Sequence, residues 1–172
     1  MIDVIVRAAK PEDAYAISVV RVETWGAAYR GILPDSYLDG LRAGDRAEQL
    51  RQAIAGEGHK EYFFVAEDDG VVVGFAICGP ERDGSGRYKG EVYAIYVLPA
   101  FQRRGIGRLL MRAAVAKLGE LGFTSMLLWT PEKNAYCLFY ERLGGARIAA
   151  KTYDIGGTPV DLAAYGWEKL PY

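Results

Sequence analysis

One stretch of the chain decides how it folds: Gln102-Arg103-Arg104-Gly105-Ile106-Gly107. It lies between an apolar run that ends at Pro99 and a helical pattern that begins at Ile106. The two glycines let the backbone turn tightly and approach a ligand closely. The first N–H groups of the following helix have no intrahelical partner, and the helix dipole adds positive charge there. The stretch therefore predicts a phosphate or pyrophosphate site, strengthened by Arg103, Arg104 and Arg108.

The residues around the two glycines argue against two familiar nucleotide-binding motifs. A P-loop ends in Gly-Lys-Ser/Thr, whereas Gly107 is followed by Arg108 and Leu109. A dinucleotide fold places three glycines in its first strand–turn–helix unit near the N-terminus, followed by an acidic residue for the ribose, and neither condition is met. Nucleotide hydrolysis and dinucleotide binding are therefore disfavoured.

The flanking segments predict a strand before this stretch and a helix after it. The run from Gly90 to Pro99 is almost continuously apolar, as expected of a central strand that is buried on both faces. Downstream, apolar residues recur at spacings of four and three, typical of an amphipathic helix that lies on a sheet. These apolar positions are Ile106, Leu110, Ala114, Leu118 and Leu121.

The glycine stretch resembles the acetyl-CoA motif of the GNAT-type N-acetyltransferases, in which Gln or Arg, two free positions, Gly, one free position and Gly or Ala follow one another. A second segment, Asn134-Ala135-Tyr136-Cys137-Leu138-Phe139-Tyr140-Glu141-Arg142-Leu143-Gly144-Gly145, resembles the Asn…Phe-Tyr-Glu-x-Leu-Gly block of the same family. Asn134 precedes Tyr140 by six positions, whereas many relatives have one more residue between them. The segment from Arg21 to Pro34 is similar to the first helix and loop of a bacterial subset of the family.

The resemblance implies an α/β (α+β) fold over residues 1–172 as one acetyltransferase domain, with a mixed, mostly antiparallel sheet of about seven strands and about four flanking helices. It also implies that the strand from Gly90 opens away from the next strand. Its backbone around Ile95 and Val97 would pair with the pantetheine arm, and a peptide N–H near Val97 would stabilise the oxyanion. The residues that would bind acetyl-CoA, as a co-substrate, are Ile95, Val97, Gln102, Arg103, Arg104, Gly105, Ile106, Gly107, Arg108 and Asn134.

Two catalytic residues follow from the resemblance. Tyr140 occupies the family position of the general acid, and a phenol with a pKa near 10 suits protonation of a thiolate. Glu91 begins the central strand, where relatives often carry a carboxylate that accepts the proton of the amine. Strand alternation predicts that Glu91 shares a face with Tyr93, Ile95 and Val97. The alternatives are a core tyrosine and a solvated acid at a strand end.

The predicted activity is transfer of an acetyl group from acetyl-CoA to a primary amine of a small molecule or peptide by direct attack in a ternary complex. Trp25, Tyr29 and Tyr93 are predicted to line the acceptor pocket, although most aromatic residues pack in cores. Small amines, amino-acid derivatives, antibiotics and protein N-termini all stay open as acceptors. The competing hypothesis is a CoA-binding sensor or regulatory module of the same fold without transfer.

Charge and composition narrow the possible partners. Basic and acidic side chains number 21 and 22, which argues against a nucleic-acid or membrane surface. No run approaches the roughly 20 apolar residues of a membrane helix, and the N-terminus does not resemble a secretory signal. Cys78 and Cys137 are interpreted as reduced core thiols of a cytoplasmic protein. The single histidine, His59, is expected at the surface, so no metal is implied.

The remaining segments predict helices and two hairpins. Asp35 is expected to cap a second helix that runs to about Ala55. Asp68-Asp69-Gly70 is a turn sequence between two strand-like runs and predicts an antiparallel hairpin. A last hairpin is expected between Arg147 and Trp167, and its end near Leu170 leaves a homodimer open. The predicted elements are strands over residues 1–7, 62–67, 71–78, 147–155 and 160–167, a helix over residues 14–29 and a loop over residues 79–89.

Overall fold

The computed structural model describes residues 4–56, 58, 60–84 and 86–172. His59 lies outside the described residues, so its predicted surface position stays a prediction. The elements in chain order are β1 (Ile5–Ala8), α1 (Ala14–Ala28), α2 (Asp35–Gly40), α3 (Gly44–Ala55), β2 (Tyr62–Asp68), β3 (Val71–Pro80), β4 (Gly90–Val97), α4 (Ile106–Glu120), β5 (Met126–Pro131), α5 (Cys137–Arg142), β6 (Ala146–Ile155) and β7 (Thr158–Trp167).

The seven strands form one sheet in the order β1-β2-β3-β4-β5-β7-β6. Neighbouring strands are antiparallel except β4 and β5, which are parallel. Parallel neighbours need a crossover connection, and α4 provides it. The predicted mixed, mostly antiparallel sheet of seven strands is confirmed.

The described residues contain five α-helices rather than about four, because the helix predicted from Asp35 to about Ala55 is two helices. Leu41 is extended, with φ of −66° and ψ of 135°, and it packs on a cluster of buried residues around Tyr29 and Leu38. Helix α2 ends at Gly40, a poor helix former, and the partly buried Leu41 then packs on this cluster instead of continuing the helix. The predicted cap is also wrong, because Asp35 is already helical and Pro34 takes the capping position without a side-chain hydrogen bond.

The two predicted hairpins are present. Between β2 and β3, Asp69 and Gly70 have φ values of 49° and 78°, the left-handed conformation that a two-residue turn of this kind requires. Between β6 and β7, Gly156 and Gly157 have φ values of 60° and 84°. Local turn chemistry was therefore enough to place both hairpins.

Helices cover the two faces of the sheet. On one face, α4 buries Ile106, Leu110, Ala114 and Leu118 against the central strands, as the apolar spacing predicted. On the other face, α1 packs residues such as Ile17 on β2 and β3. No helix in the described part of the chain is long and apolar enough to cross a membrane.

A bulge in β4 corrects the predicted alternation of its side chains. Ile77 pairs with Ala94 and Cys78 with Val92, so Tyr93 is the extra residue. Glu91 and Tyr93 still share a face, where the Arg82 side chain contacts both. Beyond the bulge, the alternation of side chains between the two faces of the sheet is shifted by one residue.

Past Tyr93, Ile95 and Val97 pack with the core under α4, whereas Ala94 and Tyr96 pack with the core under α1. The prediction that Glu91, Tyr93, Ile95 and Val97 share one face is therefore wrong for the last two. A bulge shifts the alternation by one residue, which moves every later side chain to the opposite face.

Three further residues differ from their predicted settings. Trp167 and Leu170, on which the expected pairing with a second copy rested, pack in the core of their own chain.

Both cysteines are free, and burial raises the pKa of the Cys78 thiol to about 12. Cys137 is half-buried rather than a core residue. The oligomeric state stays a prediction.

Candidate active site

A deep groove opens where β4 and β5 separate. The two strands pair only at Gly90 with Met126 and at Glu91 with Leu127, and beyond these residues they diverge, as the family resemblance implied. The resulting groove has a volume of about 840 Å³ and runs from the start of α4 to the α1 residues Thr24, Ala28 and Tyr29. A groove of this size accommodates an elongated ligand together with a small second one.

The exposed edge of β4 offers main-chain hydrogen-bond donors to the groove. Leu98 donates its N–H to Val73 on the β3 side, at 2.9 Å. Successive residues of a strand direct their N–H groups to opposite sides, so the N–H groups of Val97 and Ile95 point towards the open side. Both residues line the groove.

The glycine-containing loop ends in a cluster of free amide groups. Arg103 and Gly105 have φ values of 62° and 83°, and α4 begins at Ile106. Within the described ranges, the N–H groups of residues 103–107 donate to no protein acceptor, whereas those of Arg108 and Leu109 donate to the Gly105 carbonyl. Unpartnered amides at a helix N-terminus form an anion site.

Most of the predicted cofactor residues in this loop line the groove. They include Arg103, Gly105, Gly107 and Arg108, the last at the first turn of α4. Two predicted residues are not among the described lining residues. Ile106 is buried in the core, and the Arg104 guanidinium lies 5.2 Å from the centroid of the Phe101 ring. Their predicted contacts with the cofactor stay predictions.

Gln102, the first residue of the motif, links the two walls of the groove. Its Nε2 donates to the Val97 carbonyl at 2.9 Å, and its Oε1 accepts a hydrogen bond from the Tyr136 hydroxyl. The side chain thus fixes the end of β4 relative to the segment before α5. Sequence reasoning missed Tyr136, because its partner is 34 positions away.

Asn134 lines the groove, but its side chain is engaged within the protein. Its Nδ2 donates to the Thr130 hydroxyl at 2.9 Å, and its Oδ1 accepts the N–H of Tyr136 at 3.1 Å. These bonds join the end of β5 to the start of α5. In this arrangement Asn134 shapes the groove wall, and its predicted contact with a cofactor stays a prediction.

Tyr140 lies on α5 and lines the groove with a mostly buried side chain. Its ring contacts those of Phe139 and Tyr165, with centroids 5.4 and 5.8 Å away. Burial raises the pKa of the Tyr140 hydroxyl above its usual range, with a further contribution from Tyr96. In the described part of the chain the hydroxyl has no hydrogen-bond partner, so it is available to a ligand as a proton donor.

Aromatic residues form the end of the groove near α1. The hydroxyls of Tyr29 and Tyr96 lie 3.1 Å apart, and burial raises the pKa of Tyr29 above its ordinary value. Tyr93, which was predicted to line the acceptor pocket, also lines the groove. Trp25 is not among the described lining residues and instead packs edge-on against the Tyr29 ring, with centroids 5.0 Å apart.

Sequence reasoning also left out Trp129 and Thr130, which line the same end of the groove from β5. Their position at the carboxyl end of a short apolar strand was the available signal, because ligands of open sheets bind at such ends. No carboxylate is found among the described lining residues, whereas Arg103, Arg108 and Arg142 are. The groove therefore favours anionic over cationic ligands.

Glu91 does not line the groove. Its side chain is only 2% exposed, and both carboxylate oxygens accept hydrogen bonds from Arg82. Arg82 in turn stacks over the Tyr93 ring, at 4.0 Å from the centroid. The predicted role of Glu91 as general base stays a prediction, and the geometry separates its carboxylate from the groove.

A sheet that splits above a helix N-terminus with free amides, with a phenol beside the split, forms a site suited to a phosphate-bearing ligand and to proton donation. The model of the acetyltransferase (GNAT) family matches residues 27–145 of the chain. The chain therefore belongs to the GNAT family, and the protein is an acyltransferase of that family.

Similarity extends beyond the matched segment. The chain is 36% identical to the uncharacterized N-acetyltransferase YuaI of Bacillus subtilis over 97% of this chain and 94% of the relative. Among solved structures, YncA from Salmonella typhimurium with its cofactor acetyl-CoA has a TM-score of 0.72 at 26% identity, covering 97% of this chain and 94% of that one. The PaiA N-acetyltransferase of Thermoplasma acidophilum in complex with coenzyme A also has a TM-score of 0.72, at 21% identity, covering 94% and 98%.

Proposed function

We propose that this protein transfers an acetyl group from acetyl-CoA to a primary amine by direct attack in a ternary complex. The observation that carries the proposal is the groove itself. At one end lie the free amides at the start of α4, and towards the other lie Tyr140 and the aromatic residues near α1. The complexes of YncA with acetyl-CoA and of PaiA with coenzyme A support the choice of donor.

The residues present fit a coenzyme A thioester. The amides of residues 103–107, with Arg103 and Arg108, would hold its pyrophosphate, and the open edge of β4 at Ile95 and Val97 would pair with its pantetheine arm. When bound, acetyl-CoA supplies an acetyl thioester, so that transfer forms an amide C–N bond, breaks the C–S bond and leaves a thiolate that needs a proton.

Three groups of this chain would then act on the reaction. The Val97 N–H, on the open edge of β4, is placed to donate a hydrogen bond to a developing oxyanion. The Tyr140 hydroxyl donates the proton that the leaving thiolate requires, and it is protonated at neutral pH because a phenol has a pKa near 10, which burial raises further in Tyr140. The acceptor amine must be neutral when it attacks, and the absence of carboxylates among the described lining residues favours that form.

The test combines an activity screen with a matched pair of variants. Protein, acetyl-CoA and an amine panel are incubated, and acetylated products are identified by mass spectrometry while CoA release is measured. Tyr140→Phe is expected to lower kcat by about 10²- to 10⁴-fold with an unchanged Kd for CoA. Tyr165→Phe removes a hydroxyl from the neighbouring ring, which does not line the groove, and is expected to keep kcat.

Three outcomes count against the proposal in different ways. Equal turnover by Tyr140→Phe and wild type would remove Tyr140 from the mechanism and leave the activity in place. Binding of CoA without acetylation of any amine would favour the sensor hypothesis instead. Absence of both CoA binding and acetylation would reject the function as a whole.

A further inference from the structure

A second pocket, of about 240 Å³, lies between helices α1 and α3 and the strands β2 and β3. Among the described residues, none lines both this pocket and the groove. The two are therefore separate cavities. The volume of the second pocket suits a ligand smaller than those that fill larger clefts.

Helical spacing brings the polar side chains of this second pocket together. On α1, Ser18 and Arg21 are three residues apart and therefore lie on one face of the helix. On α3, residues 46, 49, 50 and 53 lie on one face for the same reason, and all four line the pocket. Two helices thus supply the polar groups, and the sheet supplies the floor.

The floor of the second pocket is apolar. It consists of Phe63 on β2 and of Phe75 and Ile77 on β3, and both phenylalanines are buried. Ile17 of α1 and Leu50 of α3 close the sides. Contact with these side chains favours a ligand that has an apolar body.

Neither arginine of the second pocket binds a carboxylate within residues 4–56, 58, 60–84 and 86–172. Arg46 is exposed, and Arg21 is half-buried with its guanidinium 4.8 Å from the centroid of the Trp25 ring. By contrast, Arg7 and Arg82 bind carboxylates at 2.7 Å. Burial, and then the charge of Arg46, lower the pKa of Arg21, so its surroundings oppose its positive charge. An anion in the pocket would relieve this cost.

Ser18 gives a second, independent indication of a polar ligand. The residue is only 6% exposed and lines the pocket, yet its hydroxyl makes no hydrogen bond with any described residue. By contrast, the hydroxyl of Thr24, which is also buried on α1, donates to the Val20 carbonyl at 2.6 Å. Buried polar groups normally have a partner, so the Ser18 hydroxyl is available to donate to a ligand.

One carboxylate, that of Glu61, also lines the second pocket. Glu61 is exposed and forms no ion pair with Arg21 or Arg46 in the part of the chain that the structure describes. Water and salt screen an exposed charge more than a half-buried one. Glu61 therefore weakens the attraction for an anion less than Arg21 strengthens it.

We infer that this second pocket is a binding site, separate from the groove, for a small carboxylate with an apolar body. Arg21 and Arg46 bind the carboxylate, and the Ser18 hydroxyl donates a further hydrogen bond to it. The apolar body packs on Phe63 and Phe75. Guanidinium groups suit a carboxylate because their paired N–H groups match its two oxygens. The inference does not depend on the proposed transfer activity.

Phenylacetate is the probe, and two matched compounds separate its parts. Phenylacetamide keeps the apolar body without the charge, and acetate keeps the charge without the ring. Each is titrated into isotope-labelled protein, with and without excess CoA, and NMR spectra give both the Kd and the residues affected. Phenylacetate is expected to bind with a Kd of about 1 mM or below, at least about 10-fold more tightly than either comparison compound. Its largest shifts are expected at the residues of α1 and α3 that line the second pocket.

Variants link this binding to the polar side chains. Arg21→Gln and Arg46→Gln are each expected to raise the Kd of phenylacetate by about 10-fold or more, with little change for phenylacetamide. Arg46 is exposed, so Arg46→Gln makes this test without risk to folding. Ser18→Ala is expected to raise the same Kd by about 3-fold or more. The control is Arg51→Gln on α3, because Arg51 pairs with Glu48 at the surface and does not line the pocket. It is expected to bind phenylacetate like wild type.

Absence of phenylacetate binding up to about 10 mM would overturn the inference, as would equally tight binding of phenylacetamide or of acetate. Displacement of phenylacetate by CoA, or shifts confined to the loop at residues 103–107, would place the anion in the groove and would also overturn it. So would Arg21→Gln and Arg46→Gln variants that both bind phenylacetate like wild type. Each of these results is obtained without turnover, so failure of the proposed acetyl transfer leaves the test intact.

Discussion

Arg82 binds both oxygens of the Glu91 carboxylate, with its Nη2 at 2.7 Å from Oε1 and its backbone nitrogen at 3.1 Å from Oε2. Arg82 belongs to the loop after β3, and Glu91 is the second residue of β4. The pair therefore joins the loop to the strand at the point where β4 and β5 still pair. An acid engaged in this way is unsuited to take a proton directly from an amine in the groove.

Glu91→Gln separates the two roles of this carboxylate. A structural role predicts a loss of about 2 kcal/mol in the free energy of unfolding, because a buried charge-assisted bond is weakened, with kcat within about 10-fold of wild type. A role as general base predicts a fall in kcat of about 10²-fold or more and loss of the acidic limb of the pH profile. We expect the first result. Denaturant titration and a pH–rate profile measure both, and the second result would reinstate Glu91 as the base.

The loop before α4 predicts different effects for its two glycines. Gly105 has φ of 83°, so Gly105→Ala strains the backbone by about 1 kcal/mol or more even though a Cβ there meets no atom within 4 Å. The strained loop is expected to reorient its free amides and to weaken CoA binding by about 10-fold or more. Calorimetric titration with CoA checks this.

Gly107→Ala is the matched control. Gly107 is helical, and a Cβ there would lie 3.6 Å from the Phe139 ring, which is an ordinary contact. This variant is therefore expected to bind CoA within a few-fold of wild type. Similar losses for the two alanine variants would argue that the loop needs space, rather than a left-handed residue, at its start.

The buried tyrosines predict how the protein responds to high pH. Burial raises the pKa of Tyr140, so kcat should show no decline attributable to this acid up to about pH 10. Burial likewise raises the pKa of Tyr29 in the folded state, so the unfolded chain loses its phenolic protons first. The raised pKa of Tyr29 therefore adds to the free energy of unfolding. This contribution is complete below about pH 10 and is lost as the pH rises further.

Denaturant titrations from pH 8 to 11 measure this loss of stability. Tyr29→Phe is expected to reduce this dependence on pH, because one of the buried tyrosines with a raised pKa is gone. Tyr172→Phe changes an exposed tyrosine and serves as the control. A stability that is constant from pH 9 to 11 would contradict the assignment.

The parts of the structure that could be predicted from sequence are those set by local chemistry. Gly105 is followed by the helix it predicted, because a left-handed glycine and an apolar stripe from Ile106 are encoded within one segment. The turn at Asp69 and Gly70 is similarly local. These features need no knowledge of a distant partner, so the central strand, the loop and α4 were all placed correctly.

The parts that could not be predicted depend on distant partners. The bulge at Tyr93 follows from the register of β4 against β3, and it reversed the faces assigned to Ile95 and Val97. Where the helix after Asp35 divides, the partly buried Leu41 packs on a cluster that β7 completes, and this contact is not visible in the sequence. Arg21 of α1 and Arg46 of α3 line one pocket. No spacing rule within a single helix predicts that residues of two helices meet there.

The turn between β6 and β7 packs on α2 next to the aromatic end of the groove. Gly156 has φ of 60°, and a Cβ there would lie 2.1 Å from Cε2 of Tyr37. The same region buries Tyr29 and Leu38 against β7 residues such as Val160. The position of this turn therefore supports the wall that carries Tyr29.

Gly156→Ala is expected to push Tyr37 aside, to lower the free energy of unfolding by about 2 kcal/mol or more, and to raise the KM of the acceptor while the Kd of CoA stays unchanged. Gly157→Ala is the control, because Gly157 has φ of 84° but a Cβ there meets no atom within 4 Å. It shares the backbone strain and lacks the clash, so the difference between the two variants isolates the contact with Tyr37. Thermal unfolding and acceptor kinetics measure both effects. Equal losses in the two variants would show that backbone strain alone is responsible and that the turn does not support the acceptor wall.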